Sequence, residues 1–186
     1  MKPGRTDENF DRPWKIRDLS EYLNATFSKF YNPSENLAID EVIVSFKGRV
    51  IFKQYIPKKR KCFGIKIFKL CNSTGYTYDM KVYLGKHRQR TAQHVTATHA
   101  TVTELTRKIG RGHKLFMDNF FSSSELFDDL VKKQIYCCGT VRPNRRGMPQ
   151  DLRPKTTKLK REDIRVRTRV ELTAILWRDK RDMHVD

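Results

Sequence analysis

Two aspartates, Asp40 and Asp118, stand in segments whose patterning points to chemistry at strand ends. The first lies in Asn36-Leu37-Ala38-Ile39-Asp40-Glu41-Val42-Ile43-Val44-Ser45-Phe46-Lys47-Gly48-Arg49, which reads as a buried β-strand running into a glycine turn. Period two puts Asp40 on the face of Val42, Val44 and Phe46, and an acid among apolar neighbours calls for a reason other than packing. The second closes Lys114-Leu115-Phe116-Met117-Asp118, a short apolar strand. A helix start follows, in which Ser122 and Glu125 have capping-box spacing. Asp118 is therefore expected at a strand's carboxyl end, where open α/β sheets bind their ligands. Glu41 points to the face opposite Asp40 and is left out of the site. Asn119 either orients Asp118 or caps the next helix, and capping is the simpler expectation.

The elements that must position these acids follow from spacing. Trp14, Ile16, Leu19, Tyr22, Leu23, Phe27 and Phe30 recur close to helical period and stop at Asn32-Pro33, which predicts a helix that packs on the core. Strands are expected at about 38–46, 64–71 and 76–84, with Asn72-Ser73-Thr74-Gly75 turning the last two into a hairpin. A helix over 101–109, opened by Thr101 and Glu104 and ended by Gly110, precedes the Asp118 strand. A helix near 123–133 and a strand near 135–141 come next. Pro143, Gly147, Pro149 and Pro154 then predict an exposed loop over 142–163. From Arg165 the sequence alternates strictly, as a hairpin or as one long strand, with Arg165, Arg167 and Arg169 on one face. The fold class is α/β: a helical lead-in, 1–33, and one domain, 34–186.

Charge sets the class of partner. The formal net charge is +18 over 186 residues. Residues 1–33 hold 6 basic and 5 acidic groups, so the basicity belongs to the rest. Residues 47–69 carry nine Lys or Arg and no acid, and 142–169 carry eleven against three acids. Lys58, Lys59, Arg60 and Lys61 in the first run, and Arg142, Arg145 and Arg146 in the second, are candidate phosphate contacts, because backbone neutralisation dominates nucleic-acid affinity. The bland readings are solubility and, for Lys58-Lys59-Arg60-Lys61, nuclear targeting. No apolar run approaches the length of a membrane span, and Met1-Lys2-Pro3-Gly4-Arg5 opens no signal peptide, so an intracellular home is expected. Cys62, Cys71, Cys137 and Cys138 show no CxxC spacing, and Cys71 with one of the adjacent pair is expected to be buried in a strand. His87, His94, His99, His113 and His184 read as loop or helix-surface residues.

Several segments together resemble the catalytic domain of piggyBac-type transposases. They are Ile39-Asp40-Glu41, Phe46-Lys47-Gly48-Arg49, Tyr55-Ile56-Pro57-Lys58 leading to Gly64-Ile65-Lys66, Met117-Asp118-Asn119-Phe120-Phe121-Ser122, and Gly139-Thr140-Val141-Arg142 with Asn144-Arg145 behind it. Any one is weak, whereas five in order across the chain are specific. The resemblance implies an RNase H-like core: a mixed sheet, antiparallel meander plus parallel strands with flanking helices, incomplete at the C-terminus. It implies that Asp40 and Asp118 are catalytic metal ligands for Mg2+ or Mn2+. The family's third acid has a glycine-glycine-valine context that Asp179, Asp182 and Asp186 lack, so none of these is assigned. The cysteine-rich, zinc-binding tail that such transposases commonly carry is also missing, which bears on specific recognition of transposon ends. The partners implied are double-stranded DNA and a second copy or a related transposase, with no membrane, in the nucleus. The expectation is a truncated transposase relic that binds DNA without cutting it. The alternative is a metal-dependent DNA transposase or nuclease whose third acid comes from a longer product or a partner.

Overall fold

The structure is a computed structural model and describes residues 13–57, 62–85, 95–153, 159–178 and 182–185. Helix α1 (Arg17–Phe30) leads into strand β1 (Asn36–Ser45), followed by β2 (Gln54–Tyr55), β3 (Phe63–Asn72) and β4 (Thr77–Val82). Helix α2 (Ala97–Leu105), strand β5 (Lys114–Met117), helix α3 (Ser124–Lys132) and strand β6 (Tyr136–Gly139) complete the larger unit. A 3-10 turn, Gln150–Leu152, precedes β7 (Ile164–Arg169), β8 (Leu172–Arg178) and β9 (Asp182–Val185).

Six strands form one mixed sheet in the order β2-β3-β1-β5-β6, with β4 also paired to β3. β3 pairs antiparallel with β1 on one side and with β4 on the other, the latter through the turn at Gly75 (φ 85°), whereas β1, β5 and β6 run parallel. Parallel neighbours need crossovers, and α2 and α3 lie in the two connections. Both helices cover one face of the sheet. Leu37 and Ile39 of β1, Phe68 and Leu70 of β3 and Leu115 and Met117 of β5 meet Val102, Leu105, Leu126, Phe127 and Leu130 there. Each fully buried side chain of this size stabilises by roughly 1.5–3 kcal/mol.

Helix α1 packs along β4 without fully burying any residue. Its Asn24 amide closes the strand's open edge: Nδ2 donates to Met80 O at 2.8 Å, and Met80 N donates to Oδ1 at 3.0 Å. An unpaired strand edge invites pairing with another chain, and this side chain occupies the place of a partner.

Three local expectations are corrected. Helix α2 starts earlier than Thr101: Thr96 is the N-cap, accepting from His99 N, while Thr101 Oγ1 turns back to Ala97 O. Ser123, not Ser122, caps α3, and neither Ser122 nor Asn119 takes that role. The stretch after β6 is not simply an exposed loop. Val141, Met148, Leu152 and Leu159 pack with Ala174 and Leu176 of β8 into a second small core. The alternating segment resolves into a hairpin, β7 to β8, that turns at Val170 with φ 54°.

Candidate active site

Asp40 is the fifth residue of β1, not its last. The parallel register pairs Ala38 with Phe116 and Ile39 with Met117, so the next step along both strands sets Asp40 beside Asp118. Adjacent strands lie about 4.8 Å apart, and equal register gives equal facing. Leu37 and Ile39, Leu115 and Met117 point to the core; the two acids point the other way. That face is open. Val42, Val44, Phe116, Tyr136 and Cys138 are exposed on it along with both acids, so the face shared by Asp40, Val42 and Val44 is not the buried one the alternation suggested.

Each carboxylate is held by a backbone N–H close in sequence. Glu41 N donates to Asp40 Oδ1 at 2.7 Å, and Phe120 N donates to Asp118 Oδ1 at 3.0 Å. The second oxygen of each acid makes no hydrogen bond among the described residues. Behind Asp118 the chain turns tightly, its carbonyl accepting from Phe121 N (3.2 Å), Ser122 N (3.1 Å) and Ser122 Oγ (2.9 Å). Lys69 of β3 is the cross-strand neighbour of Asp40 on its other side.

On the core side, Lys66 links the two acid-bearing segments. Its Nζ is 3.2 Å from Glu41 Oε2 and lies over the rings of Phe120 (4.5 Å) and Phe68 (5.0 Å). A half-buried ammonium is tolerable there because a carboxylate and aromatic faces replace its water. Sequence reasoning placed Glu41 on the opposite face and gave Lys66 no role. Its signal was the Gly64-Ile65-Lys66 element.

The basic candidates fall into three groups. Lys58, Lys59, Arg60 and Lys61 lie outside the described residues. Arg142 and Arg145 sit against the turn after Asp118: Arg142 Nε donates to Asn119 Oδ1 at 3.2 Å, and Arg145 Nη2 donates to Phe120 O at 2.9 Å and Asn119 O at 3.4 Å. Arg146 is exposed and 3.3 Å from Glu125. Of the β7 arginines, Arg167 pairs with Asp151 and Arg169 with Asp128, each at 2.5 Å. His99 is not a surface residue, because it is buried in α2 with Nε2 3.3 Å from Asp129.

A family model described as Transposase IS4 matches residues 2–185. The chain belongs to that transposase family, in its piggyBac-type branch. Human PiggyBac transposable element-derived protein 3 is 28% identical over 136 residues, covering 71% of this chain and 23% of that protein. Human PiggyBac transposable element-derived protein 5 is 22% identical over 181 residues, covering 90% and 34%. A piggyBac transposase solved by cryo-EM in a synaptic complex with hairpin DNA superposes with a TM-score of 0.82 at 28% identity, over 91% of this chain and 36% of that one. The chain thus spans about a third or less of these relatives. The mixed sheet with its helices is the RNase H-like fold of the piggyBac transposase.

Transposases of this family generally use a divalent metal. Two adjacent aspartates with an outward oxygen each are hard donors of the type that Mg2+ or Mn2+ takes, and Mg2+ commonly sits on one or two carboxylates while keeping several waters. No cluster of three or more His, Cys, Asp or Glu that could hold a metal occurs among the described residues. Two carboxylates are a donor set of the size that one hydrated Mg2+ takes.

Proposed function

We propose that this piggyBac-type segment binds double-stranded DNA across the open face that carries Asp40 and Asp118, and that by itself it does not cut the strand. The parallel register of β1 and β5 supports this reading, because its next step beyond Ile39 and Met117 brings Asp40 and Asp118, far apart in sequence, side by side. Asp40 and Asp118 would hold Mg2+ or Mn2+. Such ions in a pair stabilise the attacking and leaving oxygens of an in-line displacement at phosphorus. That clamp draws on several converging carboxylates, and two supply less than it uses. Exposed Arg142 and Arg146, with the Lys58-Lys59-Arg60-Lys61 run, would meet phosphate, and the net charge of +18 supports a strong electrostatic component.

The test is duplex binding at graded salt, followed by nicking assays with magnesium and manganese. A protein neutralising 6–10 phosphates should lose roughly 10³–10⁵ in affinity between about 50 and 200 mM salt. Salt-insensitive or absent binding overturns the electrostatic part. Metal-dependent nicking that Asp40→Ala abolishes overturns the non-cutting part and favours the second reading, a transposase or nuclease centre completed by an acid from a longer product or a partner. That reading draws on the same register. A second copy or a related transposase would seat on the apolar part of the open face, Val42, Val44, Phe116 and Tyr136. A double-stranded DNA partner and the basic run Lys58-Lys59-Arg60-Lys61 support a nuclear location for the protein.

A further inference from the structure

We propose that Arg145, assisted by Arg142, is a positioning residue for Asp118, holding the carbonyls of the turn that follows it so that the acid's second oxygen stays directed beside Asp40. This rests on the metal-site reading above. β6 is the parallel neighbour of β5, and its last residue, Gly139, pairs with Met117 where the turn leaves β5. Gly139 makes the approach possible. A Cβ there would fall 2.6 Å from Ser122 Oγ and against the Met117 carbonyl, so any larger residue would push the two exits apart.

Beyond that point the two arginines face the turn. Arg142 engages the side chain of Asn119, and Arg145 takes the carbonyls of Asn119 and Phe120. Phe120 is the residue whose N–H fixes Asp118 Oδ1. Its amide therefore orients the acid while its carbonyl is anchored to a guanidinium. Its ring is held from the core side by Lys66, which also pairs with Glu41, and Glu41 N–H fixes Asp40. Both acids are thus oriented by backbone groups of residues that one lysine ties together on the core side, and Arg145 holds two carbonyls of the same turn. The arrangement is specific to the turn: Arg145 Nε is buried and makes no hydrogen bond among the described residues, so the guanidinium is spent on these carbonyls at some cost.

Groups that orient metal ligands typically cost roughly 10–100-fold in metal affinity when removed. The experiment uses the full chain, with Mn2+ as the probe and the free ion read by electron paramagnetic resonance. Arg145→Met, Arg145→Lys, Arg142→Met, Asp40→Asn and Asp118→Asn are compared, with thermal unfolding and amide exchange of the 118–122 peptide followed in parallel. Arg145→Met is expected to weaken Mn2+ binding about tenfold or more, to speed exchange in that peptide, and to leave the unfolding curve near wild type. Arg145→Lys, which keeps a donor, should restore part of the affinity. If Arg145→Met fails to fold, Arg145→Lys and Arg142→Met carry the comparison. Wild-type Mn2+ binding in Arg145→Met, where Asp118→Asn has lost it, overturns the proposal and leaves the metal site standing. Wild-type binding in both Asp variants overturns the metal site. Exchange then decides alone: faster exchange in Arg145→Met supports the clamp and unchanged exchange overturns it.

Discussion

Cys137 and Cys138 are neighbours in sequence with opposite surroundings. Cys137 faces the core, and burial, with Cys138 beside it, pushes its thiol up to about 12. Cys138 stands exposed on the open face, paired in register with Phe116. Because the thiolate is the reactive form, iodoacetamide near pH 8 should label Cys138 well before Cys137, and peptide mass mapping reads the order. Asp79 differs again. It is buried on β4, and desolvation raises its pKa despite Lys108 at 3.5 Å. A carboxyl raised in the folded state binds its proton more tightly there than in the unfolded chain. Its contribution to stability is present below the ordinary carboxylate value and is lost as pH rises through the raised value. Asp79→Asn should therefore flatten the pH dependence of unfolding in that acid window, as urea titrations at stepped pH would show. Gly139→Ala should destabilise by about 1–3 kcal/mol, since the added methyl meets backbone and a fully buried serine. An unchanged urea midpoint would argue against so tight an approach of Gly139 to Met117 and Ser122.

The secondary-structure elements were legible where one physical signal dominates. Helical spacing located α1, the Asn72-to-Gly75 turn located the β3–β4 hairpin, and the apolar run ending in Asp118 located β5. Caps were misplaced by a residue or more because several Ser and Thr compete for each start, and tertiary geometry picks the one whose oxygen meets an N–H. The basic stretch after β6 read as loop because prolines and charges mask the spacing of Val141, Met148, Leu152 and Leu159. Only the fold brings these onto β8. Alternation in β1 revealed two faces but not which one is buried, since period two carries no sign. The facing of Asp40 needed the neighbouring strands. Resemblance pointed to the acids, but nothing in spacing could show their register or the Arg145 contacts. Two substitutions examine the elements themselves. Val170, a β-branched residue at φ 54° in the β7–β8 turn, is 97% exposed, so Val170→Gly should relieve strain and raise stability by roughly 1 kcal/mol. Asn24→Ala removes both bonds to Met80 and should cost about 1–2 kcal/mol. Thermal melts of the two variants should move in opposite directions.

Across the whole molecule, a mixed sheet covered on one face carries its acids on the other, and a smaller three-stranded sheet is joined to it through the second core and the Arg169–Asp128 pair on α3. No described helix is long and apolar enough to cross a membrane. The parallel pairing of β1 with β5 also fixes when the acid pair can come into being. Asp40 and Asp118 are separated by roughly eighty residues of chain, and closing so long a loop must precede any gain from the contact. The β3–β4 hairpin closes locally over a few residues. In pulsed exchange during refolding, hairpin amides should gain protection first and those of β5 later. During refolding the chain would then pass through a stage with its hairpin formed while its two acids are still apart.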